Sequence, residues 1–122
     1  MGIFLCYNWN MRIWDVLPRC LCQKHLLGEH HELHAIWSIL SENKKGYAKH
    51  PETLRWKGKL KALYIRHNQL VAEMKRRGYK HSSDLDKRLA RGKAAQDYFL
   101  HSLAKQRAIL RGKSCPCPLK KK

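Results

Sequence analysis

The sequence predicts an all-α fold: a single domain of three long helices packed around one core, with short connecting loops. Three observations predict it. Apolar residues recur at helical spacing in long stretches, helix start and stop residues bracket those stretches, and no segment of useful length shows the apolar–polar alternation of a half-buried strand. A chain of 122 residues, 43% of them apolar, suits one modest core and argues against wholesale disorder.

Taken in order, residues 1–10 (MGIFLCYNWN) read as an N-terminal extension. They lack a basic leader and have only a short apolar run, so they predict neither a signal peptide nor a membrane span. Gly2 follows Met1, but Cys6 stands where a myristoylation signal needs Ser or Thr. A second methionine, Met11, opens the strongly patterned part. The biological chain is therefore expected to begin at either Met1 or Met11, the first ten residues in the latter case being an upstream misreading.

The helical domain is expected over 11–112. Met11–Pro18 is short and extended, with Pro18 placed for a helix first turn. The first helix is predicted from about Pro18 to Ser41. Glu42–His50 (ENKKGYAKH) is a basic loop. Pro51 and Glu52 then open a second helix, expected to continue to Arg77 and to stop at Gly78. Its buried stripe is predicted to be Leu60, Leu63, Tyr64, His67, Val71 and Met74. A short helix is expected around Leu85–Leu89. The third long helix is predicted from about Lys93 to Arg111, burying Phe99, Leu100, Leu103 and Leu110. Residues 113–122 form a basic tail.

Within the first helix, His25, Glu29 and Glu32 fall on one stripe, near about 0°, about 40° and about 340° on a wheel of ~100° per residue. Cys22, Leu26, Leu33, Trp37 and Leu40 lie beside them, so the stripe is expected at the margin of the buried face, where burial raises a carboxyl pKa toward that of a useful base. The plain alternative is a solvated flank with His25 and Glu29 as an i,i+4 pair.

Charge is the strongest compositional signal: 26 Lys and Arg against 9 Asp and Glu, a formal charge of +17. That imbalance calls for a polyanion partner, nucleic acid before an anionic membrane. Lys44, Lys45, Lys49, Arg55, Lys57, Lys59 and Lys61 crowd the loop and second helix, with Tyr47 and Trp56 interleaved. Cations along a surface suit phosphates and aromatics can stack on bases; the alternative is a solvated face with Trp56 in the core. Metal signals are weak. His30, His31, Glu32, Leu33 and His34 give H-H-E-L-H rather than H-E-x-x-H; His30 and His34 could share a metal, but they point away from Glu32. The five cysteines include two C-x-C pairs, Cys20/Cys22 and Cys115/Cys117, whose spacing is not that of common zinc sites. Free thiols in a reducing cytoplasm are the simpler reading.

The run MRIWDV, LCQKHLLGEHHELHAIWSIL, KKGY and HPETLRWKGKLKALYIRHNQLVAEMKRRGY resembles the pyrimidine-dimer DNA glycosylases of the endonuclease V type. The resemblance covers Met11–Tyr79 well and the third helix loosely. Its most specific element is H-L-x-x-E-x-x-E-L, here His25, Leu26, Glu29, Glu32 and Leu33. The resemblance implies a small, monomeric, all-α repair enzyme, without metal or other cofactor, working in the cytoplasm in association with the nucleoid. Its substrate would be double-stranded DNA with pyrimidine dimers or abasic sites. It would release the damaged base by N-glycosylase action and cut the abasic strand by β-elimination through a Schiff base.

The implied nucleophile is the N-terminal α-amine, aligned with Met11. An α-amine, with a pKa of ~7.7–8.0, is far more often neutral than a lysine near ~10.4. Glu32 matches the catalytic carboxylate, and His25 and Glu29 match flanking positions that orient the site. Arg12 matches a phosphate-binding residue beside the nucleophile. Glu29, His31, Lys44, Lys45, Arg55 and Lys57 complete the expected DNA contacts. Three departures matter, the first for the nucleophile and the others for substrate range. Met11 is internal in the chain as written; His31 and Ala35 stand where a well-known member of the family has arginines; and that member's aromatic C-terminal tail has no counterpart in this sequence. A non-catalytic basic helical DNA-binding protein is the alternative from a different class.

Overall fold

The computed structural model describes residues 12–46, 49–80 and 84–111. The extension 1–10, Met11, Tyr47 and the tail 113–122 lie outside the described residues. The fold is all-α, a single small domain, with α1 at Gln23–Glu42, α2 at Pro51–Arg55, α3 at Leu60–Arg76 and α4 at Leu103–Arg111. Among the described residues there is no strand, only an isolated antiparallel bridge between Lys59 and Gly92. No described helix is long and apolar enough to cross a membrane.

The chain enters extended, and Pro18 opens a separate 3₁₀ turn, Pro18–Cys20, rather than α1 itself. At its far end α1 closes on Asn43, whose φ of 57° puts it in the left-handed region. The Asn43 and Lys44 N–H groups both turn back to the Ile39 carbonyl. Leu26, Leu33, Ile36 and Trp37 of α1 pack on Leu63, Leu70 and Met74 of α3, and Ile13, Trp14 and Val16 from the entering segment close the core with Trp56 and Leu110. Each such fully buried apolar side chain contributes about 1.5–3 kcal/mol by leaving water.

The single helix expected from Pro51 to Arg77 is two. His50 caps α2, its Nδ1 accepting the Glu52 N–H at 3.0 Å. The chain then turns through Trp56–Lys59, with Gly58 at φ 77°, before α3 begins. The first turn of α3 is capped from far along the chain: the Lys61 and Ala62 N–H groups donate to the Arg91 and Lys93 carbonyls at 2.8 and 3.0 Å, and Lys93 N–H returns to the Gly58 carbonyl at 3.0 Å. Those bonds satisfy donors that an α-helix start leaves open. Gly78, at φ 84°, ends α3 as the sequence predicts. Arg77, beside it, donates to the Leu21 carbonyl at 2.6 Å and ties the entering turn to α3.

The third helix is half as long as expected. Residues 93–102 are irregular, and Phe99 and Leu100 are exposed rather than buried. Gln96 holds this segment open: its amide donates to the Arg55 carbonyl at 2.8 Å, and its Oε1 accepts from Tyr98 N–H and Lys59 Nζ. Such side-chain bonds compete with helical ones. Ser102 then starts α4, its Oγ accepting the Lys105 N–H. The short helix expected at Leu85–Leu89 is a 3₁₀ turn, Lys87–Leu89, capped by Asp86.

Candidate active site and basic cleft

The stripe on α1 divides into two unlike carboxylates one turn apart. Glu29 is 2% exposed and lies under α3, where Arg66 grips both its oxygens, Nε to Oε2 at 2.7 Å and Nη2 to Oε1 at 3.1 Å. It also accepts the backbone N–H of Trp14. Burial pushes its carboxyl upward and Arg66 opposes that. Helical spacing puts Glu29 on a cleft wall, and the family resemblance implies a DNA contact there. The structure instead buries it as the anchor between α1, α3 and the entering chain, because Arg66 supplies the countercharge that burial demands.

Glu32 is half-buried and makes no salt bridge among the described residues. Burial pushes its carboxyl above the ordinary range, and the neighbouring His31 partly counters this. A carboxylate with a raised pKa and no salt-bridge partner among the described residues is suited to proton transfer, whereas its ion-paired neighbour is suited to structure.

The entering segment lies over the start of the same helix. The Arg12 guanidinium sits 4.7 Å from the Trp14 ring centroid, and Trp14 meets the His25 ring edge-on, centroids 5.9 Å apart. His25 is half-buried, its Nδ1 3.3 Å from the Cys22 sulfur. Arg12 Nη1 donates to His101 Nδ1 at 3.3 Å; burial and the nearby Arg12 and Lys105 charges keep the His101 pKa low, so it serves as a neutral acceptor. Arg12, Trp14 and His25 thus form a contiguous row, and Glu29 is tied into it through Trp14. Met11, next to Arg12, lies outside the described residues.

The basic residues separate into two kinds. Arg55, expected on phosphate, is 4% exposed and fully engaged. Its Nε donates to Glu52 at 2.7 Å, its Nη2 to the Ile13 carbonyl at 2.8 Å, and its Nη1 to the Tyr98 carbonyl at 3.0 Å. It also pairs with Asp15 at 3.1 Å, and Asp15 in turn is held by Gln106 of α4. Arg55 therefore joins α2 to the entering segment and the 96–98 loop, and has no free face for DNA. Trp56 likewise belongs to the core, its indole N–H on Glu52. Lys59 is spent on Gln96 and Asp97.

The other expected cations do face solvent. Lys44 and Lys57 line one open cleft of about 320 Å³ with Arg91, Asn43, Leu40 and Gly92; Lys45 and His31 are exposed. Lys57 also lines a second recess, with Lys59, Leu54, Tyr98 and Leu100. Arg91, Tyr98 and Leu100 carry no motif that marks them in the sequence, where spacing puts Leu100 in a helix core. Cys20 and Cys22 form no disulfide among the described residues, and Cys115 and Cys117 lie outside them. His30 and His34 come together with His67 of α3, a residue whose spacing marks it only as part of a buried stripe.

The chain belongs to the pyrimidine dimer DNA glycosylase family, whose model matches residues 11–87, more than half of its length. The match takes in α1, α2 and α3 with Glu32 and both lysines of the basic cleft, and it makes the protein a DNA-repair glycosylase acting on pyrimidine dimers. Searches of curated proteins and of solved structures return no match.

Proposed function

We propose that the protein releases the base of a pyrimidine dimer and then cleaves the abasic strand itself, with the α-amine of Met11 as nucleophile and Glu32 as the catalytic carboxylate. The observation that carries this is the contrast on α1 between Glu29, held by Arg66 and by the entering segment next to Met11, and a partly desolvated Glu32 that makes no salt bridge among the described residues. The amine attacks the sugar C1′, the glycosidic bond breaks toward the base, and opening of the sugar ring leaves an iminium. Loss of a C2′ proton then expels the 3′ phosphate, and water hydrolyses the imine. Glu32 stabilises the cationic sugar and carries the protons. His25 positions the site through Trp14. None of these steps requires a metal.

Lys44, Lys45 and Lys57, with Arg12 and His31, are assigned to DNA phosphates. Kinking the duplex and extruding a base is cheaper where damage has weakened stacking. The protein is proposed to act as a cytoplasmic, nucleoid-associated monomer. The family match beginning at residue 11 supports a chain that starts at Met11; within the longer chain that nitrogen is an amide and is not nucleophilic.

Borohydride reduction on a duplex with one abasic site tests the reading. A chain begun at Met11 is expected to become covalently linked through Met11, located by peptide mapping, and the 122-residue form to link poorly. Absence of any adduct would leave base release without a lyase step, and would leave DNA binding without catalysis if dimer release also failed. An adduct on an internal lysine would overturn the role of Met11.

A further inference from the structure

α1 and α3 bring three imidazoles to one point on the side of α1 away from the Glu32 stripe. His30 and His34 are one turn apart on α1, half-buried, and their Nε2 atoms are 3.2 Å apart. His67 of α3 is 1% exposed, and its ring centroid is 5.1 Å from that of His30 and 5.0 Å from that of His34. One ligand nitrogen from each of the three lies within 4.8 Å of the other two. From these contacts we infer that His30, His34 and His67 form a divalent transition-metal site, with Zn²⁺ as the ion best suited to it.

Three features favour a metal over a simple imidazole stack. Two nitrogens bound to one tetrahedral zinc at about 2.0–2.1 Å must themselves be about 3.3 Å apart, close to the separation of the His30 and His34 Nε2 atoms. The i,i+4 spacing supplies that pair from a single helix face. The third ring is already oriented: His67 Nδ1 lies 3.1 Å from the Asn68 Oδ1, a pure acceptor, so Nδ1 carries the proton and Nε2 the lone pair. A hydrogen bond on the non-ligating nitrogen is the usual way a metal-binding histidine is fixed. An all-imidazole donor set suits zinc and its neighbours rather than calcium or magnesium. His30 and His34 are half-buried, so an ion could reach the cluster from solvent, and water would supply the fourth ligand. The ion would fasten α1 to α3 from two ligands on one helix and one on the other, independently of Glu32.

Zinc binding to chelator-treated protein tests the site. One equivalent of Zn²⁺ is expected to bind and to raise the thermal midpoint by several degrees, since a ligand that binds only the folded state stabilises it. Co²⁺ should give the visible bands of a tetrahedral nitrogen–oxygen site without near-ultraviolet thiolate absorption. His34→Ala and His30→Ala, both at half-buried positions, should fold and lose the bound ion. The double substitution Cys20→Ser with Cys22→Ser should keep it. Failure of the unaltered protein to take up a stoichiometric ion, a thiolate spectrum, or full binding by His34→Ala would each overturn the assignment.

Discussion

Arg66 of α3 and Glu29 of α1 form a bidentate ion pair, Nε to Oε2 at 2.7 Å, within the interface between the two long helices. The pair sits where α1, α3 and the entering segment meet, so it sets the distance between the helix that carries Glu32 and the segment that leads from Met11. Removing only the cation would leave a buried carboxylate without compensation. Arg66→Met is therefore expected to destabilise the fold by about 3–5 kcal/mol, and Glu29→Leu added to Arg66→Met to recover much of that loss. Urea denaturation of the single and double variants checks this. A mild effect of Arg66→Met alone would show that Glu29 reaches water.

A close backbone crossing limits what Gly92 can become. It has φ 85°, and a Cβ built there would run into the Gly58 carbonyl. The same crossing carries the Lys93–Gly58 bond that helps cap α3. Gly92→Ala should lower stability by about 1–3 kcal/mol through strain and displacement of the crossing chains. Amide exchange should rise first at Lys61 and Ala62, whose N–H groups depend on the 91–93 segment. A thermal midpoint equal to that of the parent protein would show that the crossing can open without penalty.

These particulars mark what the sequence could disclose. The α1 and α3 stripes are legible because their packing is local in origin: Leu26, Leu33, Trp37, Leu63 and Met74 recur at helical spacing and are buried. The break at Gly58 is not legible, because the bonds that stabilise a new helix start come from residues 91 and 93, far along the chain. The irregular 93–102 segment depends in the same way on Gln96 reaching Arg55. At the candidate site, Glu32 is marked by its motif, and the structure leaves it half-buried. Glu29 and Arg55 are misplaced by sequence alone because a charged residue reads as exposed until its partner is known, and Arg66 and Asp15 are remote in the chain. His67 looks like an ordinary core position for the same reason; its neighbours His30 and His34 lie on another helix.

The basic cleft makes a prediction in salt. Lys44 and Lys57 lie on different elements but line the same cleft. Removing one phosphate-binding cation should reduce the slope of log K against log salt by about 0.9, so replacing both with alanine should flatten it by about 1.8. Affinity for damaged and undamaged duplex should fall together, because phosphate contacts carry no lesion information. Arg55→Ala, by contrast, should act on stability rather than on the salt slope. Binding titrations across a salt series separate these outcomes, and a selective weakening on damaged DNA would mean that the lysines read the lesion.

Glu32 carries the sharpest prediction because its chemistry and its burial point the same way. Glu32→Gln preserves size but cannot take up a proton, so incision should fall by roughly 10²-fold or more, while binding to damaged duplex survives. The unaltered enzyme should also show the sign of the carboxyl shift. Burial raises the Glu32 pKa, so the carboxylate proposed as the base is depleted by acid earlier than an ordinary glutamate would be. Activity should fall as pH drops through a value above the usual carboxylate range, and it should be steady above that value until the amine or another group intervenes. His31 pulls the carboxyl pKa back down when charged, so His31→Ala should move that acid limb to higher pH still. Single-turnover incision rates measured against pH for the parent, Glu32→Gln and His31→Ala proteins decide the matter. Near-normal incision by Glu32→Gln would remove Glu32 from the mechanism, and an acid limb unmoved by His31→Ala would assign that limb to another group.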